Sequence, residues 1–159
     1  MFRTILAGGE TLTAPVTHSL VKALRSVPDF ASLDDRTLVR IVGASTNLFW
    51  RAGALVFEKG SSSEGLWIVL SGKVRIFDVE DGEEVDVSTV EPGNSFGELS
   101  LLLRTTHTKN AQAVEDTELM VVPEESFEEL LDDNPNLAAV FQRRVRERNL
   151  VRGEVTESD

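Results

Sequence analysis

Hydrophobic positions recur at two periods along this chain, and the changes between them divide it in three. Leu20, Val21, Leu24 and Val27 fall three and four residues apart, which predicts an amphipathic helix over 17–27 that Pro28 stops. Ser32 as N-cap, with Asp35 three residues on, predicts a second helix over about 34–43; Leu38, Ile41 and Val42 form its core face and Gly43 its stop. The period then shortens. Glycines at 53, 60, 65, 72, 82 and 93 separate short β-branched and aromatic runs at 47–50, 54–57, 66–70, 73–77 and 84–90. Two more runs lie near 110–114 and 118–122. Short strands with turn signals every 8–12 residues predict an all-β sandwich or barrel. Asp81-Gly82, flanked by Val79 and Val85, reads as a hairpin turn. Val85, Val87 and Thr89 alternate with Asp86, Ser88 and Val90, so one face of that strand is expected to be wet. Trp50, Trp67, Phe49, Phe57 and Phe77 are assigned to the core. Past Pro123 the helical period returns, with Phe127, Leu130 and Leu131 in 124–133 and Leu137, Val140, Phe141 and Val145 in 136–151. Residues 1–16 read as a poorly ordered leader, 17–151 as one domain, and 152–159 as a disordered tail.

Composition narrows the chemistry. The 159 residues suit one domain. There is no cysteine, which excludes disulfides, thiolate catalysis and cysteine metal sites, and His18 and His107 are the two histidines. Lys and Arg number 16 against 27 acids, a net charge of −11, which disfavours binding to a phosphate backbone. Neither a membrane span nor a cleavable signal is legible, so a cytoplasmic protein is expected. No nucleophile–base pairing, metal spacing or triphosphate loop supports an enzyme. The acids at 78–86 read as a solvated turn, because the ligand pattern of a calcium loop is missing.

One short segment carries candidate chemistry. Ser95-Phe96-Gly97-Glu98-Leu99-Ser100 places a glycine after a strand and before a helix start, where backbone N–H groups favour an anion. Glu98, one residue on, is an acceptor suited to a sugar hydroxyl.

Several runs in order carry a resemblance. They are Val27-Pro28-Asp29-Phe30, Arg51 to Gly60, Leu66 to Val74, Asp81-Gly82-Glu83, Pro92-Gly93 and Phe96-Gly97-Glu98-Leu99. With them the chain resembles the cyclic nucleotide-binding domain family over about residues 20–150. The resemblance implies a mainly β fold with flanking helices. Its form is an eight-stranded jelly-roll-like β-roll with N-terminal helices and two C-terminal helices. It implies cyclic AMP or cyclic GMP as ligand, and a phosphate-binding cassette over residues 96–113. Phe96, Gly97, Glu98, Leu99 and Ser100 match the half that takes the backbone-bound anion and the ribose. In the other half His107 stands where the family has arginine, Thr106 where it has proline, and Thr108 and Lys109 where it has a small pair. Arginine is a permanent bidentate fork, whereas histidine is mostly neutral at pH 7. Arg104 and Lys109 are the local substitutes, and Lys109 would share a face with His107 on a strand. Whether Lys109 supplies that charge or points to solvent is open at this stage.

Two readings follow. In one, the chain is a stand-alone regulatory module that senses cyclic nucleotide weakly and signals through a partner or self-association. In the other, it has lost the ligand and serves as a protein-interaction module. With nine residues after 150, no helix-turn-helix output domain is expected, and neither nucleic acid nor membrane is expected as a partner. The stripe Leu137, Val140, Phe141 and Val145 is expected to close over the roll as a lid, with Arg143, Arg144, Arg146 and Arg148 facing out. Those arginines, set against the acids of 124–133, suggest a homodimer or an acidic protein partner.

Overall fold

Proline punctuation and the switch of hydrophobic period place the elements. The computed structural model describes residues 3–4 and 14–152, and the side chains of 20–147. Helices α1 (Ala14–Arg25) and α2 (Asp35–Ala44), separated by a 3-10 turn at Pro28–Phe30, precede the strands. The strands are β1 (Arg3–Thr4), β2 (Thr46–Trp50), β3 (Leu55–Phe57), β4 (Gly65–Ser71), β5 (Val74–Glu80), β6 (Glu83–Val90), β7 (Ser95–Phe96), β8 (Asn110–Ala113) and β9 (Thr117–Pro123). Short α3 (Glu98–Leu103) lies between β7 and β8, and α4 (Glu124–Asp133) and α5 (Pro135–Arg152) follow β9. The expected eight strands are β2–β9, and two-residue β1 adds in parallel to β2. Of the expected leader (1–16) and tail (152–159), residues 14–16 belong to α1 and Arg152 to α5, while 1–2, 5–13 and 153–159, with the side chains of His18 and Arg148, lie outside the described residues.

Two sheets, β1-β2-β9-β4-β7 and β3-β8-β5-β6, face each other. Between them Trp67, Val69, Val74, Val90, Phe96, Ala111 and Leu119 form the roll interior. The opposite face of the larger sheet carries Leu66, Ile68, Met120 and Val122 into a second core with the helices. Because β4 and β9 are covered on both faces, their buried runs are nearly continuous rather than alternating.

Five local expectations are corrected. The cap of α2 is Asp34, not Ser32: its Oδ1 accepts from the Thr37 N–H at 2.8 Å, and hydrogen bonding from the Thr37 side chain first, and its N–H second, holds the carboxyl below the usual value. Gly43 does not stop α2, which runs to Ala44 and ends where the Ser45 hydroxyl donates to the Ile41 carbonyl. Strand β6 is wet on both faces from Glu83 to Thr89, because it is the edge of the smaller sheet and only Val90 reaches the roll core. Its turn is as expected, with positive φ at Asp81 and Gly82. Phe49 is exposed, on a strand near the margin of its sheet, and Trp50 and Phe57 are half-buried. The α5 stripe packs into the helical layer, where Phe141 meets Phe127 edge-on at 5.2 Å, and is not a lid across the roll. Val140 falls outside the buried stripe.

Candidate ligand site at the β7–α3–β8 segment

The larger sheet ends at β7, which pairs with β4 through Phe96 and Trp67. Phe96 is buried and stacks near Trp67 at 6.1 Å. Gly97 then turns the chain at φ 87° to start α3. A Cβ there would sit 2.9 Å from Trp67 Cδ1, so both the turn and the close approach require glycine. Glu98, Leu99 and Ser100 follow, all buried.

The two halves of the segment meet at Ser100 and His107. The Ser100 hydroxyl lies 3.0 Å from His107 Nδ1 and 3.4 Å from the Gly97 carbonyl. The imidazole lies flat on Phe57, with centroids 3.6 Å apart and planes 3° apart. The His107 N–H donates to the Ser61 carbonyl at 2.9 Å, and its carbonyl accepts from the Gly60 N–H at 2.8 Å. His107 is 3 % exposed, and burial pushes its pKa below the ordinary value. Its Nε2, like Trp67 Nε1, is buried with no hydrogen-bond partner among the described residues.

Lys109 does not reach this corner from a strand, because β8 begins at Asn110. Its ammonium is 3.6 Å from Asp78, which Lys59 also approaches at 3.8 Å. Thr108 is half-buried beside it. Arg104, the other local cation, pairs with Glu128 at 2.9 Å, away from His107.

One charge beside Glu98 comes from an unexpected place. Arg144 of α5 points inward, not outward, and its guanidinium lies 4.0 Å from the Glu98 carboxylate. It also grips Asp29 with two hydrogen bonds of 2.8 and 3.0 Å, which raise the guanidinium's pKa. One side chain thus joins the 3-10 turn, the cassette and the last helix. The sequence carried a signal for this, since Arg144 is three residues from Phe141 and next to Val145, beside the buried stripe. Phe57 was assigned to the core generically; only the fold brings it onto His107.

The donor set fits a cyclic nucleotide in part. The glycine turn and the acidic acceptor are in place, and the unsatisfied Nε2 offers one polar atom to a ligand. Among the described residues no guanidinium is hydrogen-bonded to His107. Among the described residues no group of three acids or histidines is placed to hold a metal ion, and no helix is long and apolar enough to cross a membrane.

A two-sheet β-roll with helices on one face and a glycine–acid turn between β7 and α3 defines the class of fold. A family model for the cyclic nucleotide-binding domain matches residues 48–134, and the chain belongs to that family. It is 40% identical over 103 residues to the cyclic AMP receptor protein of Thermus thermophilus, covering 62% of this chain and 48% of the receptor. It is 33% identical over 98 residues to lysophospholipase NTE1 of Chaetomium globosum, covering 61% of this chain and 6% of that enzyme. Among solved structures, the regulatory domain of Toxoplasma gondii protein kinase A, co-crystallised with cyclic AMP, superposes with a TM-score of 0.68 at 29% identity. That match covers 74% of this chain and 45% of the other. The chain therefore spans less than half the length of these relatives, which include both a receptor and an enzyme.

Proposed function

We propose that residues 17–151 form a cytoplasmic regulatory module that takes cyclic AMP or cyclic GMP at reduced affinity and has no catalysis of its own. Gly97, Glu98, Leu99 and Ser100 face the sugar-phosphate, His107 stands at its anionic end, and Phe96, Thr108 and Lys109 flank these residues in the chain. One observation carries the low affinity: the arginine position holds a buried, neutral histidine while Lys109 and Arg144 are committed to Asp78 and Asp29. Losing a charge-assisted contact costs roughly 2–5 kcal/mol, or about 30- to several thousand-fold in affinity. Calorimetric titration with each nucleotide is expected to give micromolar or weaker binding, and Glu98→Ala to weaken it further. Submicromolar binding at pH 8 would overturn the low affinity. Equal affinity in the Glu98→Ala variant would remove Glu98 from the site. Because Glu98 is buried near Arg144, ligand-free melts of the variant separate a stability cost from a binding cost.

A second reading draws on the same corner. His107 lies flat on Phe57 and beside Ser100, so protein groups fill part of the space an anion needs. Absence of binding to either nucleotide would favour the module that only engages proteins. In both readings output passes through a second copy or another protein. Exposed Arg143 and Arg146 on α5 and exposed Glu125, Glu129, Asp132 and Asp133 on α4 are complementary surfaces for it. Self-association by light scattering is expected to weaken as salt shortens the screening length from about 10 Å at 0.1 M to about 3 Å at 1 M. A monomer at both salts would assign the contact to another protein.

A further inference from the structure

We propose that the cassette takes up its anionic ligand together with a proton, which lodges on His107 Nε2. The inference rests on the reading above that a cyclic phosphodiester enters here. It starts from the hydrogen bonds already made. A hydroxyl has one proton to give and can accept two. With its proton directed to the Gly97 carbonyl, the Ser100 hydroxyl accepts Nδ1–H of His107. That arrangement suits the imidazolium as well as the neutral ring, so protonation asks for no rearrangement at Nδ1. It leaves Nε2 as the atom that gains the proton, and Nε2 is the ring atom without a partner among the described residues. The Phe57 face beneath the ring suits a cation.

Among the described residues no carboxylate pairs with His107, so the corner has no counter-anion there. On β5 Arg75 pairs with Glu84 and Asp86, while Glu80 and, in the turn after β3, Glu64 are exposed. On α3, Glu98 lies against Arg144, and past its end Arg104 pairs with Glu128. On β5, Asp78 holds Lys59, from the turn after β3, and Lys109, from the loop before β8. Glu58, beside Phe57, is exposed. Burial without a charge partner keeps the ring neutral, and burial is what lowers its pKa. A phosphodiester reverses this balance, because it puts a permanent negative charge opposite Nε2. One proton from solvent forms the N–H and no covalent bond to the ligand is made. The domain would then read pH and nucleotide together, which a fixed arginine cannot do.

The experiment titrates the wild-type chain with cyclic AMP in two buffers of different ionisation enthalpy, from about pH 5.5 to pH 8. Net uptake approaching one proton per ligand is expected. Affinity should fall by about tenfold per pH unit above the titration of the free ring, up to that of the complex. His107→Arg is expected to bind more tightly with no pH dependence in this window, and His107→Gln weakly with none. Imidazole NMR of the His18→Gln chain gives a readout that does not depend on altering the site: ligand should raise the titration of the one remaining histidine. Wild-type binding with no proton uptake and a flat pH profile overturns the proposal. So does a wild type silent at every pH while His107→Arg binds, an outcome that leaves the cassette reading standing. Silence in both, with both chains folded by circular dichroism, overturns the cassette reading as well.

Discussion

The larger sheet separates two cores of opposite character. Toward the helices β4 and β9 present Leu66, Ile68, Met120 and Val122, which meet Leu24, Phe30, Leu38, Phe127 and Phe141. Toward the roll the same strands present Trp67, Val69, Leu119 and Val121, which meet Phe57, Phe96 and, through Phe57, His107. The helical side is filled chiefly by aliphatic groups and phenyl rings without polar atoms, with Asn47 beside Met120 as a polar exception. The roll side leaves Trp67 Nε1 and His107 Nε2 buried without partners among the described residues. Both amide atoms of Asn47 on the helical side are likewise buried without partners among the described residues; such atoms cost stability, and at Trp67 Nε1 and His107 Nε2 a ligand could relieve that cost. The helical face is packed by helices, and the roll face carries the aromatic groups that reach His107.

The largest expected effect tests the packed side. Phe141→Ala removes a fully buried ring that sits edge-on to Phe127, and is expected to cost about 3–5 kcal/mol in urea unfolding. Phe57→Ala removes a half-buried ring on the roll side and is expected to cost about 1–2 kcal/mol, since only part of its area leaves water on folding. Equal losses at the two positions would break the contrast between the cores. A small loss at Phe57 together with altered nucleotide binding would sharpen it.

The two sides also differ in how far the sequence reveals them. On the helical side period alone is enough: Leu20, Leu24, Leu38, Ile41, Leu137 and Phe141 all follow helical spacing and all are buried. The strands and the Asp81-Gly82 hairpin are legible for the same local reason. Strand burial is less so. An alternating pattern does not say whether a strand is central or at an edge, and β6 and Phe49 depart from expectation on that ground. At the candidate site, Gly97, Glu98 and His107 are singled out from the motif, because its spacing is local. The partners that decide their chemistry are distant in the chain. Phe57 precedes His107 by 50 positions, and Asp29 precedes Arg144 by 115. The sequence places Arg144 with Arg143, Arg146 and Arg148 in one charged run. An α-helix separates neighbours by about 100°, so Arg144 alone of the described three turns toward Asp29 and Glu98.

The smallest expected effect is the pH dependence of stability, and it probes the roll side without a substitution in the packed one. Burial depresses the pKa of His107 in the folded chain, while an unfolded histidine titrates near about 6.5. Below that value the unfolded chain binds a proton that the folded chain refuses, so His107's contribution is complete at higher pH and is lost as the medium becomes acidic. The carboxylates Asp34 and Asp78, both held below their usual values, titrate further toward acid than the window between about pH 5.5 and pH 8. Melting curves of the ligand-free chain should therefore fall toward pH 5.5, and His107→Gln should flatten that fall. Saturating cyclic AMP should reverse it. A phosphodiester opposite Nε2 raises the folded-state titration above the unfolded one, so the complex gains relative stability as pH decreases through that interval. A ligand-induced shift in melting temperature that grows from pH 8 to pH 6 marks the roll interior as the place where proton and anion meet. A shift constant across that range would mean that His107 stays neutral in the complex, and the unsatisfied nitrogen would then be a cost the fold carries without return.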